Sequence, residues 1–155
     1  MKLPTKPIAP DSFAAHACLP YLEEYSFLKL TSDFSHWCCV AESMLENQSY
    51  AVEKAIAHTY HIHARVGAPQ SPQVIDPRDI NYHKELEIFN EWWLLMIANA
   101  MKNNRSYITI TPEYGPYPYM PYIPNTHKPM GNQWEVNQFI RKEIIGSNKN
   151  QKHII

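Results

Sequence analysis

Polar and apolar residues alternate in three short runs of the chain, and each run leads into a stretch with helical spacing. In Phe27–Asp33, Lys29, Thr31 and Asp33 share one parity and Leu28 and Leu30 the other. In Thr59–Arg65, Thr59, His61, His63 and Arg65 oppose Tyr60, Ile62 and Ala64; in Tyr107–Glu113, Thr109, Thr111 and Glu113 oppose Ile108 and Ile110. Successive side chains of a strand point to opposite faces, so each run predicts a strand with one apolar and one polar face. Residues 38–57 are rich in Ala and Glu and predict one or two helices. Over 82–103, Leu86, Ile88, Phe89, Trp92, Trp93, Leu95, Met96 and Ala100 recur at helical spacing, with both tryptophans expected in the core. A last helix is expected over Gln133–Ile145. A first one is expected from the cap candidates Asp11 and Ser12 to about Tyr25, interrupted at Pro20. Residues 1–10 carry Pro4, Pro7 and Pro10 and read as an arm; 147–155 read as a frayed polar tail, leaving 11–146 as the domain.

Strand and helix alternate with long crossovers, which predicts right-handed βαβ units and a parallel sheet. Strands buried on both faces normally read as continuous apolar runs. A polar parity in all three strands instead suits the inside of a barrel with a site at its mouth. In such barrels, functional residues sit where strands end, and Asp33, His63 and Glu113 occupy those positions here. The expectation is an α/β fold made of about three parallel β/α units from a (β/α)8 TIM barrel. A whole barrel takes about 250 residues. This chain of 155 is therefore expected to be the C-terminal part of one, truncated or completed by a partner chain or oligomer. Two copies would bring only about six strands, short of the eight in such a barrel.

Charge narrows the functions. The formal net charge is -1 and the pI about 6.7, without the basic stripe of a nucleic-acid binder. No run approaches the ~20 apolar residues of a membrane helix, and the start lacks the apolar stretch of a secretory signal. Cys18, Cys38 and Cys39 are odd in number and two are adjacent, unlike a disulfide framework; buried, inert thiols in the cytoplasm are expected.

A carboxylate, an imidazole and a second carboxylate at neighbouring strand ends form a candidate site for Mn²⁺, Mg²⁺, Co²⁺ or Zn²⁺. The alternative is that each is separately satisfied by hydrogen bonds. Two long loops leave the same strand ends. Residues 66–79 carry Gly67, Pro69, Pro72 and Pro77. Residues 114–128 carry Tyr114, Tyr117, Tyr119 and Tyr122 between prolines, either an aromatic wall for a sugar ring or a polyproline ligand.

The segments LTSDFSHW (30–37), HIHARVG (61–67), PQVIDPRD (72–79) and ITPEYGPYPYM (110–120) together resemble the sugar phosphate isomerase/epimerase family of xylose-isomerase-like TIM barrels, over roughly 11–145. The resemblance implies a metal held by Asp33, His63 and Glu113, with Glu113 also moving a proton through an enediolate. It implies that His36 contacts substrate hydroxyls and acts in catalysis. Arg65 and Tyr114 would bind substrate, and His61 would stand behind the metal or fill the barrel. The family's remaining ligand, a Glu on the preceding strand, has no counterpart here; Glu42 is a weak substitute. The chain alone is then expected to be incomplete or inactive, acting on a small sugar or sugar phosphate only when completed, and Glu113→Gln to disturb chemistry but little of the folding. Other readings are a hydrolase resembling zinc-dependent apurinic-site endonucleases, and a non-catalytic assembly module.

Overall fold

The computed structural model describes residues 14–151, with side chains through Ser147. The expected arm, the caps Asp11 and Ser12, and the end of the tail lie outside the described residues. Helix α1 spans Ala15–Glu24 and runs through Pro20 without interruption. Pro20 cannot donate to the carbonyl of His16, but both residues are exposed, where solvent can meet a carbonyl left without a donor, and the helix continues.

Strand β1, Leu30–Ser32, turns directly into α2, Phe34–Ala41. Asp33 is the cap of α2, accepting from the Ser35 N–H at 3.1 Å, which starts the helix earlier than its Ala/Glu content suggested. The expected stretch of one or two helices is two: α2 stops at Glu42 in the left-handed region (φ 48), and α3 covers Ser49–His58. Strand β2 is Thr59–Ala64, α4 is His83–Lys102, β3 is Thr109–Pro112 and α5 is Gln133–Gln151. Helix α5 outruns the expected Ile145 because the one poor helix former there, Gly146, costs about 1 kcal/mol and no proline follows to stop it.

The three strands pair in parallel in the order β1-β2-β3, with His61 opposite Thr109 and His63 opposite Thr111. Leu30 pairs with Thr59 but Thr31 with His61, so Tyr60 is an extra residue at a bulge. That bulge reverses the expected parity at two positions. Thr59 is buried, its hydroxyl donating to the Ala55 carbonyl at 2.8 Å and lying 2.7 Å from Ser32 Oγ, while Tyr60 is exposed.

Helices cover the apolar face. Ile62 and Ala64 of β2 lie in one buried cluster with Phe89, Trp93 and Met96 of α4 and Val136 and Ile140 of α5. On the polar face Thr31, Thr109 and Thr111 are exposed. The described residues form an open α/β sheet of partial β/α units, not a closed barrel. No helix among them is long and apolar enough to cross a membrane.

Candidate functional site

The parallel register brings the ends of the three strands side by side. Asp33 caps α2, His63 is the penultimate residue of β2 and Glu113 follows β3. Each offers one ligand atom, and the three atoms lie within 4.8 Å of one another. His63 Nδ1 is 2.5 Å from Glu113 Oε2. The donor set of two carboxylates and one imidazole suits a small divalent cation. With bonds of about 2.0–2.2 Å, neighbouring ligand atoms stand roughly 3–3.5 Å apart, so a cation would part His63 Nδ1 from Glu113 Oε2 and draw the more distant ligand atom inward.

Arg65 organises this group. Its side chain is 3% exposed; Nη2 donates to Glu113 Oε1 and Nε lies 3.2 Å from Asp33 Oδ2. The ring of Tyr119 covers the guanidinium, its centre 4.1 Å from Cζ. Arg65 thus faces the carboxylates as their counter-cation, where the sequence suggested a substrate contact. Two carboxylates, Arg65 and a divalent ion would sum to one positive charge, a setting that favours an oxyanion.

Asp33 is held from its other side. Ser35, fully buried, donates its hydroxyl to Oδ1 at 2.6 Å. Gly67 lets Ser35 sit there: a Cβ on Gly67 would lie 2.7 Å from Ser35 Cβ. Gln73, also buried, ties the two long loops, accepting from the Gly115 N–H at 2.7 Å and donating to its carbonyl at 3.1 Å. Ser35 and Gln73 escape a sequence reading that looks for charged ligands. Gly67 ends the HIHARVG segment, where the sequence shows no role for it.

The other expected residues divide. His36 lies beside Asp33, Nε2 to Oδ2 at 3.5 Å, with its ring edge-on to Tyr119. His61 stacks edge-on against His63, but its nitrogens lie 2.7 and 3.2 Å from the hydroxyls of Thr109 and Thr111, so it clasps β2 to β3. Tyr114 does not line the mouth. It is 2% exposed, its hydroxyl donates to the Ile75 carbonyl at 2.5 Å, and Asn137 brackets its backbone. Tyr117, Tyr119 and Tyr122 are exposed, with Tyr117 stacked on Tyr122 in a turn-rich loop rather than a polyproline stretch. Glu42 sits at the far end of α2 from Asp33, about 13–14 Å away along the helix axis, too far to be a ligand.

Cys38, on the buried face of α2, has its thiol pushed up to about 12, first by burial and then by the Asp33 and Glu46 carboxylates; burial also raises Cys18. The native state therefore keeps a proton that the unfolded chain gives up. Stability supplied by the neutral Cys38 thiol is complete below its ordinary value of 9.0 and declines as pH rises toward about 12. Urea titrations from neutral to alkaline pH should show that decline, and Cys38→Ala should flatten it. An unchanged slope in that variant would assign the decline to other groups.

No protein-family profile, curated protein or solved structure matches this chain, so the residues themselves carry the functional reading.

Proposed function

We propose that this chain carries the metal-binding half of a sugar or sugar phosphate isomerase/epimerase site. What supports the reading most is that Asp33, His63 and Glu113, from three separate β/α units, present ligand atoms within 4.8 Å of one another. These residues would hold Mn²⁺, Mg²⁺, Co²⁺ or Zn²⁺, which when bound polarises a substrate oxygen next to the carbon that exchanges its proton. Glu113 would accept or return that proton. Arg65 holds Glu113 and Asp33 in place and offsets one of their two charges, and His36, beside Asp33, would meet a substrate hydroxyl. The exposed tyrosines of the loop after β3 offer a face to a sugar ring. A hydrolytic site of the endonuclease kind would need more imidazole ligands than the single His63 of this cluster.

One observation favours a second, non-catalytic reading: Arg65 already neutralises one of the two negative charges and touches both carboxylates. The cluster would then be an ion network that holds three strands together. Titration of the chain with Mn²⁺, followed by calorimetry, separates the two. Metal binding predicts a single site that weakens at least about tenfold in His63→Ala and in Asp33→Asn. Binding absent from the wild type, or equal in the variants, leaves the ion-network reading. For the chemistry, deuterium entry next to the carbonyl of ketoses in heavy water, metal-dependent and lost in Glu113→Gln, is the expected signature once metal binding is established.

A further inference from the structure

The opposite end of the sheet carries a cavity of about 390 Å³ between the start of β2 and the end of α4, lined by Ala57, Tyr60, Asn99, Lys102, Asn103 and Arg105. It stands at strand N-termini, its Tyr60 three residues, roughly 10 Å, along β2 from His63 of the carboxylate cluster. We propose that this cavity binds the oxyanion of a small phosphorylated or sulfated molecule.

Local charge points to an anion. No carboxylate lines the cavity, and a third cation stands beside its two: Lys29, outside the lining, lies over the Tyr60 ring with Nζ 4.6 Å from the ring centre, as Arg105 Cζ does at 4.3 Å. None of Lys29, Lys102 and Arg105 has an acidic partner among the described residues, whereas Arg65 and Arg78 both do. Three uncompensated cations gather here on a chain whose formal net charge is -1.

The plain alternative is that the cations only complement the carboxyl end of α4. That end is equivalent to about half a negative charge. Much of it is already met, because the Asn99, Ala100 and Met101 carbonyls accept from the N–H groups of Asn103, Arg105 and Asn104. Three positive charges exceed what remains.

Arg105 supplies the second strand of evidence. Its Nη1 donates to the Thr59 carbonyl at 2.6 Å, which fixes the guanidinium against the Tyr60 ring, while Nη2 is shielded from water and has no acceptor among the described residues. A buried donor without a partner is costly, and a small turn of the guanidinium toward the cavity would let an oxyanion there accept from Nη2. The side-chain amides of Asn99 and Asn103 are committed to backbone carbonyls, so they shape the wall and the cations do the recognising. The volume leaves room for an organic group beside the oxyanion.

Inorganic phosphate titrated into the full chain at low salt, followed by amide and side-chain NMR shifts, tests this. Saturable shifts are expected at Arg105, Asn99 and Asn103. Binding should weaken about fivefold or more in Lys102→Ala, whose exposed side chain makes no hydrogen bond or ion pair among the described residues, and about tenfold or more in Arg105→Lys, which keeps the charge but loses the fork. Vesicles of phosphatidylcholine with phosphatidylglycerol identify the source. Retention on them that Lys102→Ala abolishes assigns a lipid headgroup, and a response to free phosphate alone assigns a soluble ligand. Shifts confined to the surroundings of Arg65, wild-type affinity in both variants, or no saturable binding would overturn the proposal. Each of these outcomes is independent of whether the carboxylate cluster binds metal.

Discussion

Arg65→Met is expected to destabilise the chain by about 3 kcal/mol, at the low end of the cost of breaking a buried ion pair from one side. The low end applies because Arg65 is 3% exposed but its partners Asp33 and Glu113 are 13% and 30% exposed, so water relieves part of the stranded charge. Methionine keeps much of the volume under Tyr119, and the loss is therefore electrostatic rather than a cavity. For a chain of this size the melting temperature should fall by roughly 6–12 °C. The same variant reports on the cluster. With the guanidinium gone, Asp33 and Glu113 face each other without a cation, and Mn²⁺ becomes the available replacement. At about a hundred times its dissociation constant, a ligand specific to the folded state returns about 2.7 kcal/mol. Thermal denaturation with and without Mn²⁺ measures both effects. A variant as stable as the wild type would remove Arg65 from its position as counter-cation; a destabilised variant that Mn²⁺ leaves unchanged would keep that role and count against the metal.

The contacts of Arg65 also change the expected effect of a substitution at Glu113. Read from sequence, Glu113→Gln is a change to chemistry alone. In the structure Glu113 pairs with Arg65 and His63 together, so the amide removes half of the negative charge facing a buried guanidinium and should affect folding too. Any loss of exchange in that variant therefore has to be measured where the protein remains folded.

The parallel sheet was legible from the long helical crossovers between strands, and the gathering of Asp33, His63 and Glu113 from period-two alternation and from their places near the ends of the alternating runs. The bulge at Tyr60 was not, since nothing in Thr59-Tyr60-His61 marks an inserted residue; its effect, a buried Thr59 and an exposed Tyr60, depends on how β1 pairs. Tyr114 was misplaced for a related reason. Its neighbours Tyr117, Tyr119 and Tyr122 are exposed in the same proline-rich segment, and only the long-range partners Ile75 and Asn137 draw Tyr114 inward. Arg65 looked like a substrate ligand because sequence gives its chemistry but not its depth.

Gly67→Ala is the substitution through which backbone spacing reaches the site. A Cβ at 67 would lie 2.7 Å from Ser35 Cβ, 3.1 Å from Ser35 Cα and 3.2 Å from the Pro72 carbonyl oxygen. The nearest of these atoms is joined directly to the backbone of α2, so no flexible side-chain end can swing away; the first turn of the helix or the loop after β2 must shift. Overpacking of this kind costs about 1–3 kcal/mol. Ser35 is also what holds Asp33, through its N–H at 3.1 Å and its hydroxyl at 2.6 Å to the same oxygen. Displacing it loosens the cap of α2 and the aspartate together. Gly67→Ala should therefore lose stability in urea denaturation and, if the cluster holds metal, weaken Mn²⁺ about tenfold, the low end for a residue that supports a ligand from behind. Ser35→Ala separates the two effects. It keeps the space and removes the hydroxyl, so it should weaken metal binding with a smaller loss of stability. Equal stability of Gly67→Ala and wild type would mean that α2 moves freely on the sheet and that Gly67 does not set the position of Asp33.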